Sequence, residues 1–269
     1  MRFGSDLRQR VISGFLLAGA AAIAVFLGGW INALFVALGT GVMAWELTRM
    51  TRGVLGFRKV GAILAFVTGA IPPIVVEAAG LMPALVTATV LSVVSGFGLA
   101  RKTPRPELLA FGIALLSYAG TFFVWMRDLP DNGFSIAIWI VLVVAAADMG
   151  GYFCGRAIGG PKLAPALSPN KTWAGALGGI AFAVIVSEIF SLVVDGDPMV
   201  LGIVAALTAV VSQAGDLAES ATKRRFGVKD SSTLIPGHGG VLDRFDALAG
   251  ASLMAGIVLV LFPSLISQW

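Results

Sequence analysis

Cysteine is nearly absent: Cys154 is the only one in 269 residues. A single thiol excludes an internal disulfide framework. It sits beside glycines at a helix end and reads as a small packing residue, not a nucleophile. Charge is scarce as well. Asp, Glu, Lys and Arg make up 13% of the chain and hydrophobic residues 57%, whereas soluble domains carry about a quarter charged residues. With a mean hydropathy of +0.91, this composition excludes an ordinary soluble domain and leaves a polytopic membrane protein. Histidine is represented by His238 alone. No Walker A, GxSxG, HExxH or CxxC pattern is present, so none of those routes to catalysis is signalled. No convincing internal repeat is present either, and an inverted-repeat transporter gains no support. The formal net charge of +4 does not point to nucleic acid. The cations sit between apolar runs, where they orient helices in a bilayer.

The apolar runs predict an all-α chain of about nine transmembrane helices. Their expected spans are 11–28, 30–47, 60–79, 81–100, 108–126, 134–153, 173–194, a run from 199 into a charged stretch, and 247–266. The first run is too long for a cleavable signal and reads as a signal-anchor span. Pro72 and Pro73 should kink the third. The amphipathic N-terminal decapeptide could lie on headgroups, but a topology signal is the better account. With the N-terminus cytoplasmic, nine spans put all but Arg127 of the 19 Lys and Arg residues inside. The outer turns then carry Asp128, Asp131, Asp195 and Asp197, the asymmetry that the positive-inside rule requires. Residues 1–144 read as an N-terminal helical region, and residues 145–269 as a catalytic region with its site on the cytoplasmic face.

What stands out is 216–246, which holds five of the 15 acidic residues, five of the 19 basic ones and the single histidine. Asp216, Ser220, Lys223 and Arg224 recur at intervals that share one helical face, with Glu219 beside them. Asp216 lies inside the apolar run, where solvent cannot readily stabilise a charge. Gly237, Gly239 and Gly240 allow close approach of backbone to a ligand. Asp243 and Asp246 stand three apart on a restarted helix and repel unless a cation lies between them. Carboxylates, Lys and Arg side chains and a glycine turn on one face suggest Mg²⁺ and phosphate oxygens. Asp148, in an otherwise apolar span, is a site candidate more than a capping group. Glu188 reads as a structural hydrogen-bonding group, and Glu46 and Glu77 as ordinary interfacial residues. In the loop 155–171, SPNKTW supplies Ser168, Asn170, Lys171 and Thr172 at an expected helix start, where free N–H groups favour anions. By chemistry alone His238 is as readily a loop hydrogen-bonding group as a phosphate contact.

The segment SATKRRFGVKDSSTLIPGHGGVLDRFD resembles the signature of phosphatidate cytidylyltransferases, the CDP-diacylglycerol synthases. The matching positions are Ser220, Lys223, Arg224, Lys229, Asp230, Pro236, Gly237, His238, Gly239, Gly240, Asp243, Arg244 and Asp246. ADMGGYFCGR and SPNKTWAGALGG are similar to two further family segments, with one departure: Ala174 stands where a Glu is often found. The resemblance is specific over about 145–250 and general in character over 1–144. It implies that CTP and phosphatidate give CDP-diacylglycerol and pyrophosphate with Mg²⁺ at a bacterial inner membrane. A second cation and a homodimer are further expectations from it. Under this reading Asp216, Asp243, Asp246 and Asp148 hold metal. Lys223, Arg224, Lys229, Asp230, His238 and Arg244 form the catalytic set, and Ser168, Asn170, Lys171, Thr172 and Ser220 bind substrate. The rival readings are another CTP-dependent membrane lipid kinase, such as a polyprenol kinase, and a polytopic transporter using Asp148 and Asp216.

Overall fold

Hydropathy alone would divide this chain into long helices, and the computed structural model, which describes residues 3–50, 59–100 and 106–269, does so. The helices are α1 (Phe3–Leu27), α2 (Gly29–Arg49), α3 (Lys59–Ala79), α4 (Leu81–Ala100), α5 (Pro106–Arg127), α6 (Gly133–Ala157), α7 (Trp173–Val194), α8 (Pro198–Arg225) and α9 (Leu242–Leu261). Eight of them are long and apolar enough to cross a membrane, and α1 adds a shorter apolar stretch, Val11–Leu27. A polytopic all-α membrane protein is therefore the architecture. A short antiparallel hairpin, β1 (Lys162–Ala164) and β2 (Ser168–Thr172), interrupts the pattern. A 3-10 turn, Pro263–Gln268, closes the chain. The side chains of the N-terminal decapeptide and of the basic loops at 51–59 and 101–105 lie outside the described residues.

The chain forms two compact units. One comprises Met1–Asp128 and Lys223–Phe245, the other Leu129–Thr222 and Asp246–Trp269. In the first unit, α3 continues as one helix through Pro72 and Pro73. Each proline lacks an N–H and frees the carbonyl four residues back, here Thr68 and Gly69. Neighbouring helices satisfy both: Ser117 Oγ donates to Thr68 O at 2.9 Å, and Thr40 Oγ1 to Gly69 O at 2.7 Å. A proline in an apolar span is tolerated when such donors replace the lost ones. Gly69 also lets α2 and α3 touch, since a Cβ there would lie 2.4 Å from Thr40 O. At the far end of α5, Arg127 donates to the final carbonyls of α1, Val25 O and Phe26 O, and Asp128 Oδ1 accepts from Gly29 N at the start of α2. The one basic residue expected on the outer side is thus a helix C-terminal partner, the end of the dipole that favours a cation.

In the second unit, glycines bring helices together. A Cβ on Gly178 would lie 2.3 Å from Cys154 Cβ, and one on Gly150 would lie 2.6 Å from Gly178 O. Close approach through small residues is the usual way to pack helices where lipid offers no hydrophobic gain. Cys154 is a wedge in this contact. Deeper in the unit, Trp139 Nε1 donates to Ser187 Oγ at 2.7 Å, and Ser187 Oγ donates onward to Leu201 O at 3.0 Å. The terminal Trp269 ring packs edge-on against Trp139.

Candidate active site

The second unit contains a carboxylate cluster. Gly215 on α8 comes within 3.7 Å of Gly250 on α9, measured from its ideal Cβ position. That near-absence of side chains lets the two helices approach. Asp216 and Glu219, one helical turn apart on α8, then share a site with Asp246 of α9, and one carboxylate oxygen from each lies within 4.8 Å of the others. Three like charges this close disfavour one another unless a cation intervenes. Lys171, carried by β2, supplies one cation and pairs with Asp216. Asp148 on α6 lies within electrostatic range of both Asp216 and Lys171. Hard oxygen donors in this number suit Mg²⁺.

The SPNKT segment leads up to the start of α7 at Trp173. It forms β2, and only Thr172 reaches the helix, as the N-cap of α7, with its Oγ1 accepting from Gly175 N at 3.1 Å. Ser168 and Asn170 stand on the same strand, Asn170 exposed. The hairpin holds Lys171 at Asp216 by strand pairing, with Lys162 opposite Thr172.

The first unit contains the other charged centre. Asp243, at the start of α9, accepts from Lys223 Nζ at 2.9 Å, Gly240 N at 2.8 Å, and the N and Oγ of Ser231 at 3.0 Å each. Its side chain is 6% exposed. Gly240 must be glycine, because a Cβ would meet Ser231 Oγ at 2.0 Å and Glu46 Oε1 at 2.5 Å. The loop between α8 and α9 encloses a cavity of about 530 Å³, whose lining includes Lys229, Asp230, Ser232, His238 and Arg244. Arg244 donates through Nε and Nη2 to His238 O at 3.0 and 2.9 Å. His238 Nδ1 lies 2.9 Å from Ser13 Oγ of α1, and that hydroxyl donates to Pro236 O at 3.1 Å. Ser220 and Arg224 lie on the last turns of α8, Arg224 exposed.

Of the expected metal residues, the structure brings Asp216 and Asp246 together with Asp148 in range, and adds Glu219. Asp243 is surrounded by a lysine, two backbone amides and a serine. Glu46 departs from its expectation as an interfacial residue: it is fully buried, and its carboxylate accepts from the signature loop. No local signal marks it, because its partners lie some 185–196 positions away. Glu219 was signalled by its helical phase beside Asp216.

The chain matches the cytidylyltransferase family over residues 8–262. It is 36% identical over 269 residues to the phosphatidate cytidylyltransferase of Brucella suis, an alignment covering 98% of this chain and 96% of the relative. The Haemophilus influenzae protein of the same name is 34% identical over 283 residues, covering 91% and 96% of the two chains. That of Pseudomonas aeruginosa is 36% identical over 258 residues, covering 91% and 94%. This chain belongs to the cytidylyltransferase family.

Proposed function

We propose that this protein is a phosphatidate cytidylyltransferase of a bacterial inner membrane, with its N-terminus and its active site facing the cytoplasm. The observation that carries the reading is the Asp216–Glu219–Asp246 cluster beside Lys171, in a chain of which only 13% is charged. The relatives bearing that name, matched along nearly their whole length, support the lipid and nucleotide as substrates. The concentration of Lys and Arg on one side supports the orientation.

In this reaction a phosphate oxygen of phosphatidate forms a bond to the α-phosphorus of CTP. The bond from that phosphorus to the bridging oxygen of the β-phosphate breaks, and pyrophosphate leaves with the electron pair. The nucleophile is already anionic, so no side chain has to remove a proton from it. The protein positions two anions that repel and neutralises the charge spreading over the phosphoryl oxygens. Asp216, Glu219 and Asp246 would hold Mg²⁺, with Asp148 at its edge; the ion supplies charge neutralisation for the phosphates. Lys171 has a side chain long enough to serve either Asp216 or a substrate phosphate, and Ser168, Asn170 and Ser220 offer neutral contacts. Lys229, Arg224 and Arg244 take phosphate oxygens as charge-assisted donors. His238 and Asp230 shape the same pocket. Lys223 and Asp243 act as a pair that fixes the loop, and Thr172 fixes the start of α7. A second cation and a homodimer complete the proposal.

The test uses purified protein in detergent with labelled CTP and phosphatidate. CDP-lipid and pyrophosphate in equal amounts, abolished by EDTA and restored by Mg²⁺, are the expected outcome. CDP with a phosphorylated lipid would instead identify a lipid kinase. No CTP-dependent product, with solute accumulation in proteoliposomes, would identify a transporter. Light scattering on the same preparation checks the dimer, and metal stoichiometry the second cation.

A further inference from the structure

Glu46 lies on α2, in the part of the chain where the sequence marks no site, and it is 0% exposed. Its carboxylate accepts from four groups, three in the loop between α8 and α9 and one at the first residue of α9, with the Ser231 hydroxyl shared between Glu46 and Asp243. Oε1 takes Ser232 Oγ and Val241 N, the latter at 3.1 Å. Oε2 takes Ser231 Oγ at 3.2 Å and Leu242 N at 2.7 Å. The partners fall in two pairs. Ser231 and Ser232 open the segment that carries Pro-Gly-His-Gly-Gly, and Val241 and Leu242 close it. One side chain therefore ties both stems of the loop to a membrane helix. The two backbone N–H groups also stand at the start of α9, where the helix dipole favours negative charge. A carboxylate buried this way is satisfied by neutral donors, so its charge is spread over four bonds. Truncating it would take the acceptor from Val241 N, Leu242 N and Ser232 Oγ, while the Ser231 hydroxyl would keep Asp243 Oδ2 at 3.0 Å.

We propose that Glu46 is a positioning residue for nucleotide transfer. It clasps the stems of loop 231–242 so that Lys229, His238 and Arg244 are held around their pocket in the geometry that receives CTP phosphates. The proposal rests on the cytidylyltransferase reading above. It also gives the N-terminal helices a part in the chemistry, as the scaffold that carries the clasp. Acceptor count sets glutamate apart from its near-isosteres at this position. A glutamine at 46 would have the same shape but turn an NH₂ group towards one backbone N–H and one serine hydroxyl; the hydroxyl can rotate to accept, but the N–H cannot, and the loop would have to shift to separate the two donors. Aspartate would keep the acceptors but retract them by one methylene.

The test compares wild type with Glu46→Gln, Glu46→Asp and Ser232→Ala, each as full-length protein in detergent. For Glu46→Gln, kcat/KM for CTP is expected to fall about 10–100-fold, the usual loss when an outer residue no longer orients the groups that touch substrate. The loss should include a raised KM for CTP, with KM for phosphatidate within about twofold of wild type, because the loop positions nucleotide groups. A merely destabilised protein would lower the active fraction and so kcat, and leave both KM values unchanged. Glu46→Asp should recover part of the loss. Amide exchange across 233–242 should quicken in Glu46→Gln relative to the rest of the chain.

Wild-type kcat/KM in Glu46→Gln, or a loss confined to kcat, would overturn the proposal. So would unchanged amide exchange in that loop. If Glu46→Gln does not yield folded protein, Ser232→Ala decides, since it removes one donor to Glu46 and, as its other loss, the acceptor of Leu234 N at 3.2 Å; an unchanged KM for CTP there overturns the clasp. Wild-type protein that makes no CDP-lipid would defeat the cytidylyltransferase reading, and the exchange measurement would still decide whether Glu46 holds the loop.

Discussion

Glu46 in the first unit meets four donors with one carboxylate, whereas Asp216, Glu219 and Asp246 in the second bring three carboxylates within 4.8 Å and pair Asp216 with Lys171. The two centres use the same functional group for different ends. Where donors outnumber carboxylates, the charge is satisfied within the chain and the backbone around it is held. Where three carboxylates crowd together, their mutual repulsion is what a cation between them would relieve. Burial alone does not distinguish the two, because Glu46 and Glu219 are both buried. Their neighbours do: donors from one loop surround Glu46, and two further carboxylates stand beside Glu219.

That contrast can be broken most sharply at the acidic cluster. Replacing Asp246 with Asn keeps the shape and removes one charge. CDP-lipid formation is expected to drop on the order of 10²–10³-fold, the scale of losing one electrostatic stabiliser of a transition state. Near-normal turnover with unchanged Mg²⁺ dependence would remove Asp246 from the metal set. Glu219→Gln should act in the same direction but more mildly. The Mg²⁺ concentration for half-maximal rate is expected to rise about 10–100-fold, read from a metal titration; if only thermal stability changes, Glu219 belongs with the structural carboxylates.

Gly240→Ala sharpens the other side. A methyl group would intrude on Ser231 Oγ and Glu46 Oε1, and overpacking of this kind costs about 1–3 kcal/mol. A lowered unfolding temperature in detergent checks it, and wild-type stability would show that the Glu46 clasp has slack. The smallest effect is expected at Cys154, which packs against Gly178 and belongs to neither centre. Cys154→Ala should leave CTP turnover within about twofold of wild type, as for a substitution at a packing position away from the chemistry.

Much of this contrast was legible one residue at a time. The helical phase of Asp216, Ser220, Lys223 and Arg224 puts a polar stripe on an apolar helix, and α8 runs through all of them, from Pro198 to Arg225. Hydropathy finds the helices because a span has to be apolar for about twenty residues to cross a bilayer. The prolines of α3 illustrate what is missed. Their effect depends on whether Thr40 and Ser117, distant in sequence, offer hydroxyls to the freed carbonyls. The SPNKT segment shows the same limit: strand pairing with 162–164 holds it extended up to Thr172, and local propensity says nothing of that partner.

The sequence by itself determined that the chain lives in a membrane, roughly where its helices run, and which stretch carries the signature residues, because each of these follows from composition, periodicity or spacing along the chain. Tertiary structure decided which carboxylates share a site and which are saturated. Asp243 and Asp246 are three residues apart, yet Asp243 is met by Lys223, Ser231 and Gly240, while Asp246 joins Asp216 and Glu219. Glu46 looks interfacial in sequence and becomes the anchor of a loop almost two hundred residues away. A carboxylate's role depends on the donors, cations and like charges within a few ångströms of it, and those neighbours are set by packing between distant segments.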